Sequence, residues 1–136
     1  MLFLCLCTFI GSAYVNSEIG ACCITGDGDL FVRFLPCYQA VESLNQGMNI
    51  EKAAEDALLR ISYYYPQFQA GLVLLDAITG NYTASSIGWT FSYSVRVSTY
   101  GSNDTTKVIR VNPIQQQTIL NYRQSKRAKL QKHSSP

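Results

Sequence analysis

The residues best suited to chemistry lie in one short turn, residues 24–29, with the sequence ITGDGD. Glycine permits positive φ angles and lets a ligand approach the backbone closely. The hydroxyl of Thr25 and the N–H of Gly26 can together donate to a developing oxyanion, the arrangement that stabilises the transition states of acyl transfer. A glycine-rich connection from a strand to a helix is also a common structural device, so these residues alone leave both interpretations open.

Several other kinds of site are excluded by missing residues. A phosphate-binding P-loop needs a Lys followed by Ser or Thr, and a calcium loop needs regularly spaced oxygen ligands and a terminal Glu. Residues 24–29 provide neither pattern. The single histidine, His133, is the fourth residue from the end of the sequence. A frayed terminus does not hold an imidazole against a nucleophile, so catalysis by histidine is not expected.

The cysteines do not form a metal-binding pattern. They are Cys5, Cys7, Cys22, Cys23 and Cys37, and no two of them have the CxxC spacing of structural zinc sites. We therefore predict no metal site and no cofactor. Cys22, Cys23 and Cys37 are expected to serve as small, buried apolar residues, and the odd count leaves at least one free thiol.

Charge is distributed unevenly along the chain, whose net charge is +2. Residues 107–136 contain seven Lys or Arg residues and no Asp or Glu, whereas residues 1–106 are acidic. We predict that residues 114–136 form a basic, disordered tail, which is solvated and does not bind nucleic acid. No apolar run approaches the roughly 20 residues of a spanning helix, so no stable membrane span is expected.

Two helices are predicted after the turn. The first covers residues 30–46, with Asp29 as its N-cap and a kink at Pro36. The second follows Asn49, which can cap it, and its apolar residues recur at the i, i+3, i+4, i+7 spacing of one helical face. This second helix is expected to end before Pro66, because proline cannot continue a helix.

Three strands are predicted beyond the helices. Residues 70–77 (AGLVLLDA) form an apolar run of strand length, which indicates a strand covered on both faces. Turn residues 79–81 (TGN) lead to a partner strand at residues 82–87. Residues 91–97 alternate apolar and polar, as in a strand covered on one face. Two helices followed by three strands predict the α+β class, with helices packed on an antiparallel sheet.

The ends of the chain differ in composition from its middle. Residues 1–10 (MLFLCLCTFI) are apolar, and three interpretations stay open: the h-region of a signal peptide, an apolar strand, or the start of a truncated chain. A length of 136 residues fits one modest domain. We therefore divide the chain into an apolar segment at 1–10, one domain at 11–113 and the basic tail at 114–136.

Blocks of sequence carry a resemblance to a known family. They are GSAY at 11–14 with GA at 20–21, TGDGDLFVRFLPCYQAVE at 25–42, and PQFQAG at 66–71 with the TG pair at 79–80. Through these blocks, residues 11–98 resemble the second half of the glycosylasparaginases. These proteins belong to the threonine-nucleophile asparaginases, which are N-terminal-nucleophile hydrolases.

The resemblance implies a fold, a reaction and a set of site residues. The implied fold is a partial αββα sandwich. In the implied reaction, a threonine hydroxyl attacks an asparagine side-chain amide, and the α-amino group of that threonine is the base. The implied substrates are N4-(β-N-acetylglucosaminyl)-L-asparagine or asparagine-type amides. By position, Thr25 and Gly26 match the oxyanion-hole pair, and Asp27 and Gly28 complete the substrate-contact turn.

The sequence departs from the family pattern at the nucleophile. In the family, the nucleophilic threonine and an Arg/Gly-Asp element that clamps the substrate lie upstream of this turn. Only 24 residues precede Thr25, and they contain no arginine. We therefore expect a truncated member without a catalytic nucleophile, inactive by itself, that associates with a complementary chain or with itself. It would take a small amide substrate only when the missing half is present. The alternative is a non-catalytic protein-interaction module derived from this fold.

Two triplets are candidate acceptors of N-linked glycans. They begin at Asn81 (NYT) and Asn103 (NDT), and both lie in predicted turns. Glycan acceptors and the glycoprotein-degrading role of the family together favour a lysosomal or secretory localisation.

Overall fold

The structure, a computed structural model, describes residues 10–97 and 105–133. In chain order its elements are β1 (Ala13–Asn16), β2 (Gly20–Gly26), α1 (Gly28–Phe34), α2 (Pro36–Asn45), α3 (Ile50–Tyr64), β3 (Ala70–Asp76), β4 (Tyr82–Ile87), β5 (Phe91–Arg96), β6 (Thr106–Val111) and α4 (Gln116–His133). The architecture is α+β, as predicted, and is consistent with part of an N-terminal-nucleophile hydrolase sandwich. Within the described parts of the chain, every helix is too short or too polar to cross a lipid bilayer.

The central sheet has the order β1-β2-β3-β4, and all of its neighbouring strands are antiparallel. Helices α2 and α3 pack on one face of it. Side chains alternate between the two faces of a strand, so Leu72 and Leu74 of β3 point toward the helices and join a core with Leu58 and Ile61 of α3. Burial of this face anchors β2, whose end carries the turn at residues 24–29.

A second layer begins on the opposite face of the sheet. Strands β5 and β6 form a separate two-stranded ribbon. The ring of Phe91 lies against Gly71 of β3 so closely that a Cβ at Gly71 would be 2.7 Å from the ring. The rings of Tyr82 and Tyr93 also meet, with centroids 6.5 Å apart. The ribbon therefore covers the β3 and β4 side of this face.

The helix predicted at residues 30–46 is two helices in the structure. Leu35 adopts the left-handed conformation (φ 48°, ψ 54°) and separates α1 from α2, where Pro36 occupies the first position. Proline disfavours the right-handed helical conformation in the residue before it, so the chain breaks instead of kinking. Asp29 is not the N-cap; Asp27 is, and its side chain makes no capping hydrogen bond.

The second predicted helix and all three predicted strands agree with the structure, the third as β5 with its alternating burial. The Asn49 side chain caps α3 by accepting hydrogen bonds from the backbone N–H groups of Glu51 and Lys52. Strands β3 and β4 pair through the predicted hairpin. Strands β1, β2 and β6 were not predicted. Five of the seven residues of β2, GACCITG, are Gly, Ala or Cys, and only Ile24 and Thr25 have the β-branched side chains that indicate a strand.

The prediction of disorder for residues 114–136 is wrong over α4. Ile119 is buried against the core, and the Arg123 Nη2 donates a hydrogen bond to the Ser62 carbonyl of α3 at 2.9 Å. The Ile114 N–H donates to the Ser86 carbonyl at 2.8 Å and fixes the chain just before the helix. The prediction of disorder rested on charge, whereas the apolar residues of the first half of the segment hold it in place.

Candidate functional site

The turn that contains Thr25 lies where β2 leaves the sheet. Thr25 pairs with Gly71, and Gly26 with Ala70, in the antiparallel ladder to β3. Helix α1 begins two residues later, at Gly28. As the second strand of four, β2 pairs with β1 as far as Cys23 and with β3 along its whole length, so β3 positions its end. Both Thr25 and Gly26 are exposed, so the turn opens to solvent.

The backbone at Gly26 has a conformation that suits glycine. Its φ is +134°, and a Cβ built there would lie 2.2 Å from the Gln69 carbonyl oxygen. L-residues with a side chain rarely adopt such angles. The close approach of residue 69 therefore requires glycine at position 26, and it fixes where the chain turns after Thr25.

Asp27 makes a reciprocal pair of hydrogen bonds with the backbone of Gln69. The Asp27 N–H donates to the Gln69 carbonyl at 3.3 Å, and the Gln69 N–H donates to Asp27 Oδ2 at 3.2 Å. The resemblance assigned Asp27 to substrate contact, but one of its carboxylate oxygens is thus used within the fold. This contact joins the blocks at 25–42 and 66–71, which lie far apart in the sequence.

The Thr25 hydroxyl differs from Asp27 in its surroundings. Among residues 10–97 and 105–133, no group exchanges a side-chain hydrogen bond with it. Arg33, the basic residue of α1, is engaged elsewhere: its Nη1 donates to the Tyr65 hydroxyl at 2.7 Å, and its guanidinium lies 5.7 Å from the centroid of that ring. The exposed hydroxyl of Thr25 can therefore donate to an incoming oxygen.

The thiols near the turn are not activated nucleophiles. Burial, followed by the nearby Cys37, raises the pKa of the Cys23 thiol to about 11. Burial also raises the pKa of Cys22 above its ordinary value, and the hydrogen bond to Cys37 adds to that effect. A thiol attacks as its thiolate, so neither is suited to attack a carbonyl at neutral pH. The single histidine of the sequence, His133, is the last residue of α4 and does not belong to the turn.

No metal centre is formed by the described residues, since no three His, Cys, Asp or Glu side chains among them are grouped to hold an ion. The turn itself provides hydrogen-bond donors at Thr25 and Gly26 and a carboxylate at Asp27. Such groups can bind an amide carbonyl and stabilise negative charge on its oxygen.

The glycosylation triplet at Asn81 lies in the hairpin between β3 and β4. Asn81 is exposed. Its N–H donates to the Thr79 hydroxyl at 3.2 Å, and its carbonyl accepts from the Asp76 N–H at 2.8 Å. Glycosylation at this exposed residue stays a prediction. Asn103, the second candidate, lies outside the described residues.

Sequence reasoning missed Gln69 as a partner of the turn. Gln69 acts through its backbone N–H and carbonyl, and any residue type provides those groups. The side chain at position 69 therefore gives no signal. The only indication in the sequence was that PQFQAG at 66–71 belonged to the same resemblance as the turn.

Comparison with known proteins shows which family the chain resembles. Residues 8–110 match the model of a family described as asparaginase. The chain is 51% identical over 85 residues to a probable isoaspartyl peptidase/L-asparaginase 3 of Arabidopsis thaliana, covering 62% of this chain and 23% of that protein. It is 44% identical over 73 residues to the N(4)-(beta-N-acetylglucosaminyl)-L-asparaginase of Rattus norvegicus, covering 54% of this chain and 21% of that protein. The matches thus span about a fifth of the length of these curated relatives.

Proposed function

Since this chain belongs to the asparaginase family, we propose that it forms the oxyanion-binding part of an amidohydrolase that acts on asparagine-type amides. The observation that carries the proposal is the turn at Thr25 and Gly26, which is exposed at a strand end and held from behind by the backbone of Gln69. A turn fixed in this way keeps its donors in place during a reaction, and preorganised donors are what an oxyanion hole requires.

In the proposed reaction, a hydroxyl attacks the side-chain carbonyl carbon of the substrate. The C=O bond opens to a tetrahedral oxyanion, which accepts hydrogen bonds from the Thr25 hydroxyl and the Gly26 N–H. Collapse of this intermediate expels the amine and leaves an ester, which water then hydrolyses. Removing one such donor typically costs about 3–4 kcal/mol of transition-state stabilisation, or roughly 10²–10³ in kcat.

Asp27 has a proposed second role beside its structural one. Its Oδ2 accepts from the Gln69 N–H, which orients the carboxylate next to Gly26. The other oxygen can accept a hydrogen bond from an ammonium group, such as the α-amino group of an asparagine-type substrate. Charge-assisted hydrogen bonds of this kind are stronger than neutral ones, so Asp27 would add to substrate binding and Gly28 would complete the turn.

We propose that the attacking threonine lies outside these 136 residues. The described residues around the turn provide donors and a carboxylate, while the neighbouring thiols are held in their neutral form. A nucleophile and its base provide much of the rate enhancement of acyl transfer. A complementary chain, or a second copy of this one, would supply the rest of the site.

The β1 side of the sheet supports the association part of this proposal. Val15 of this strand is 70% exposed, and Ala13 on the same face is also exposed. The β5 and β6 ribbon covers the β3 and β4 side of this face, whereas residues 10–97 and 105–133 leave the β1 side exposed. An exposed strand with apolar side chains is a ready surface for another layer.

The proposed substrate class includes glycosylated asparagine. The rat relative is named an N(4)-(beta-N-acetylglucosaminyl)-L-asparaginase, and the Arabidopsis relative a probable isoaspartyl peptidase/L-asparaginase. Both names describe hydrolysis beside an aspartyl or asparaginyl carbonyl, which the turn would bind in the same way. A lysosomal or secretory localisation is part of the proposal for the glycosylated substrate, because glycoproteins are made on that route.

A chimera tests the proposed function. In the rat relative, the 73 matched residues would be replaced by those of this chain, and release of aspartate from N4-(β-N-acetylglucosaminyl)-L-asparagine would be measured. We expect turnover by the chimera and none by the 136-residue chain alone. Turnover by the purified chain alone would overturn the proposed division of the site. A folded chimera without activity would overturn the oxyanion role.

The second candidate is a non-catalytic interaction module, which the open β1 side of the sheet also favours. The same chimera separates the two functions. A non-catalytic module does not require a turn that binds an oxyanion, so the chimera would fold without turnover. The isolated chain would still bind a partner through the β1 side.

A further inference from the structure

A pair of cysteine thiols lies in the core behind the candidate site. Cys22 is on β2 and Cys37 is the second residue of α2. Their sulfur atoms are 2.9 Å apart, and both residues are buried, with exposures of 5% and 0%. Cys22 precedes Thr25 by three residues on the same strand, and its side chain points to the face of the sheet that the helices cover.

We propose that Cys22 and Cys37 form a disulfide that links β2 to the start of α2. A disulfide has an S–S distance of about 2.05 Å, so the two sulfurs need to approach by less than about 1 Å. The two elements already pack on each other in the core that contains Val41 and Ile24. The bond therefore requires a small adjustment of side chains and no rearrangement of the fold.

Hydrogen bonding in the core is compatible with loss of both thiol protons. In the thiol form, Cys22 Sγ donates to Cys37 Sγ, and Cys37 Sγ donates to the Ser12 carbonyl at 3.3 Å. That carbonyl also accepts the Ile24 N–H at 2.9 Å. Oxidation removes the two sulfur donors, but it leaves the Ser12 carbonyl with its backbone partner. No buried backbone group loses its last hydrogen bond.

The pairing is selective for Cys22 over its neighbour. Successive side chains of a strand point to opposite faces, so Cys23 faces away from α2, and it is half-buried on the other side of the sheet. The sulfur of Cys37 is hydrogen-bonded to Cys22. The register of β2 therefore decides which of the two adjacent cysteines forms the bond.

The proposed oxidant is a glutathione disulfide, acting before the core closes. A thiolate of one cysteine attacks the glutathione disulfide, forms a mixed disulfide and releases one glutathione thiolate. The thiolate of the second cysteine attacks the protein sulfur of the mixed disulfide, forms the Cys22–Cys37 bond and releases the second glutathione. The two cysteines lose two electrons and two protons, and the oxidant gains the electrons and becomes two thiols.

Burial explains why the bond would form during folding. Once the core is closed, burial raises the pKa of Cys22 above its ordinary value, and a buried neutral thiol exchanges slowly. The same burial protects the finished disulfide from reduction. The ring closed by the bond contains the turn and the whole of α1, so it would restrict the candidate site from behind. This inference does not depend on the proposed activity.

The test is oxidative refolding of the full chain in a glutathione redox buffer, followed by alkylation of the remaining thiols. Trypsin cuts after Arg33, which separates Cys22 from Cys37. We expect a cross-linked pair of peptides, lighter by two hydrogen atoms than the reduced pair, with fragmentation placing the bond between Cys22 and Cys37. Because a loop of about 15 residues is closed, reduction should lower the Tm by about 10 °C.

Variants make the assignment specific. Cys23→Ser is the matched control and should keep both the cross-link and the decrease in Tm on reduction. Cys22→Ser and Cys37→Ser should each lose both. The proposal is overturned if Cys22 and Cys37 are alkylated separately after refolding, if Cys37 pairs mainly with another cysteine, or if the link is no more frequent than in denaturant. The comparison of the frequency of the link after refolding with its frequency in denaturant decides the outcome even for a chain that refolds poorly.

Discussion

At position 26 a side chain would lie 2.2 Å from the Gln69 carbonyl, and the backbone is at φ +134°. We predict that Gly26→Ala lowers the free energy of unfolding by about 1–3 kcal/mol through backbone strain, with the contact to residue 69 adding to that cost. Chemical denaturation measures the loss. Gly47→Ala is the matched control, because Gly47 also has a positive φ (+83°) but has no atom within 4 Å of the built Cβ. Equal losses in the two variants would contradict the role given to residue 69.

Asp27 accepts a structural hydrogen bond and has a proposed role in binding the substrate through its charge. Two variants separate these roles. Asp27→Asn keeps an oxygen that can accept from the Gln69 N–H, so its free energy of unfolding should change little. Asp27→Ala loses that acceptor and should be destabilised by about 1 kcal/mol. In the active chimera, Asp27→Asn should raise KM, because the charge is lost. An unchanged KM for Asp27→Asn would restrict Asp27 to its structural role.

The raised pKa of Cys23 predicts that the stability of the fold decreases at alkaline pH. Its pKa rises from 9.0 to about 11 on folding, chiefly through burial. Above pH 9 the unfolded chain therefore releases a proton that the folded chain keeps, and stability decreases until about pH 11. Under reducing conditions, Cys23→Ser should lose less stability than the unsubstituted chain between these pH values. Parallel pH profiles, measured by thermal unfolding, would contradict a buried neutral thiol at this position.

At the scale of the elements, the helix α4 is held by its first half. Ile119 is 7% exposed, whereas Leu130 near its end is 57% exposed. We predict that Ile119→Ala costs about 2 kcal/mol of stability and accelerates amide hydrogen exchange across α4. Leu130→Ala is the control and should change neither quantity. Exchange that is already fast throughout residues 116–133 of the unsubstituted chain would contradict a docked helix.

The elements differ in how well the sequence predicts them, for physical reasons. Helix α3 has both a capping Asn49 and a regular apolar face, and β3 has a continuous apolar run, so local patterns are sufficient. Strand β2 consists mainly of Gly, Ala and Cys, and its strand conformation depends on pairing with β3. Helix α4 is charged overall, and its order depends on contacts with Ser62 and the core. Long-range contacts of this kind leave no local pattern.

The candidate site likewise has some features that local sequence predicts and others that depend on long-range contacts. Thr25 and Gly26 could be predicted as donors from the sequence, because residue type and a resemblance both pointed to them, and that role stays a prediction. The backbone of Gln69, which fixes the turn, could not, since it depends on the register between β2 and β3. The position of Cys37 beside Cys22 likewise depends on the break at Leu35, which sets where α2 begins.

At the scale of the whole molecule, the described residues form helices, a four-stranded sheet and a two-stranded ribbon. The helices bury one face of the four-stranded sheet, while the β1 side of the other face is exposed at Val15. The turn lies at the edge of this arrangement, where another layer could bring a nucleophile to it. That geometry supports the proposal that a complementary chain, or a second copy of this one, supplies the nucleophile.

The most direct measurement of the central claim is the kcat of Thr25→Val in the active chimera, compared with that of Thr83→Val. Both substitutions replace a hydroxyl with a methyl group, and Thr83 lies on β4, away from the turn. We predict that Thr25→Val lowers kcat by roughly 10²–10³ with little change in KM, because the lost hydrogen bond belongs to the transition state. Thr83→Val should retain full activity. A chimera in which Thr25→Val is as active as Thr83→Val would contradict the assignment of the turn as the oxyanion site.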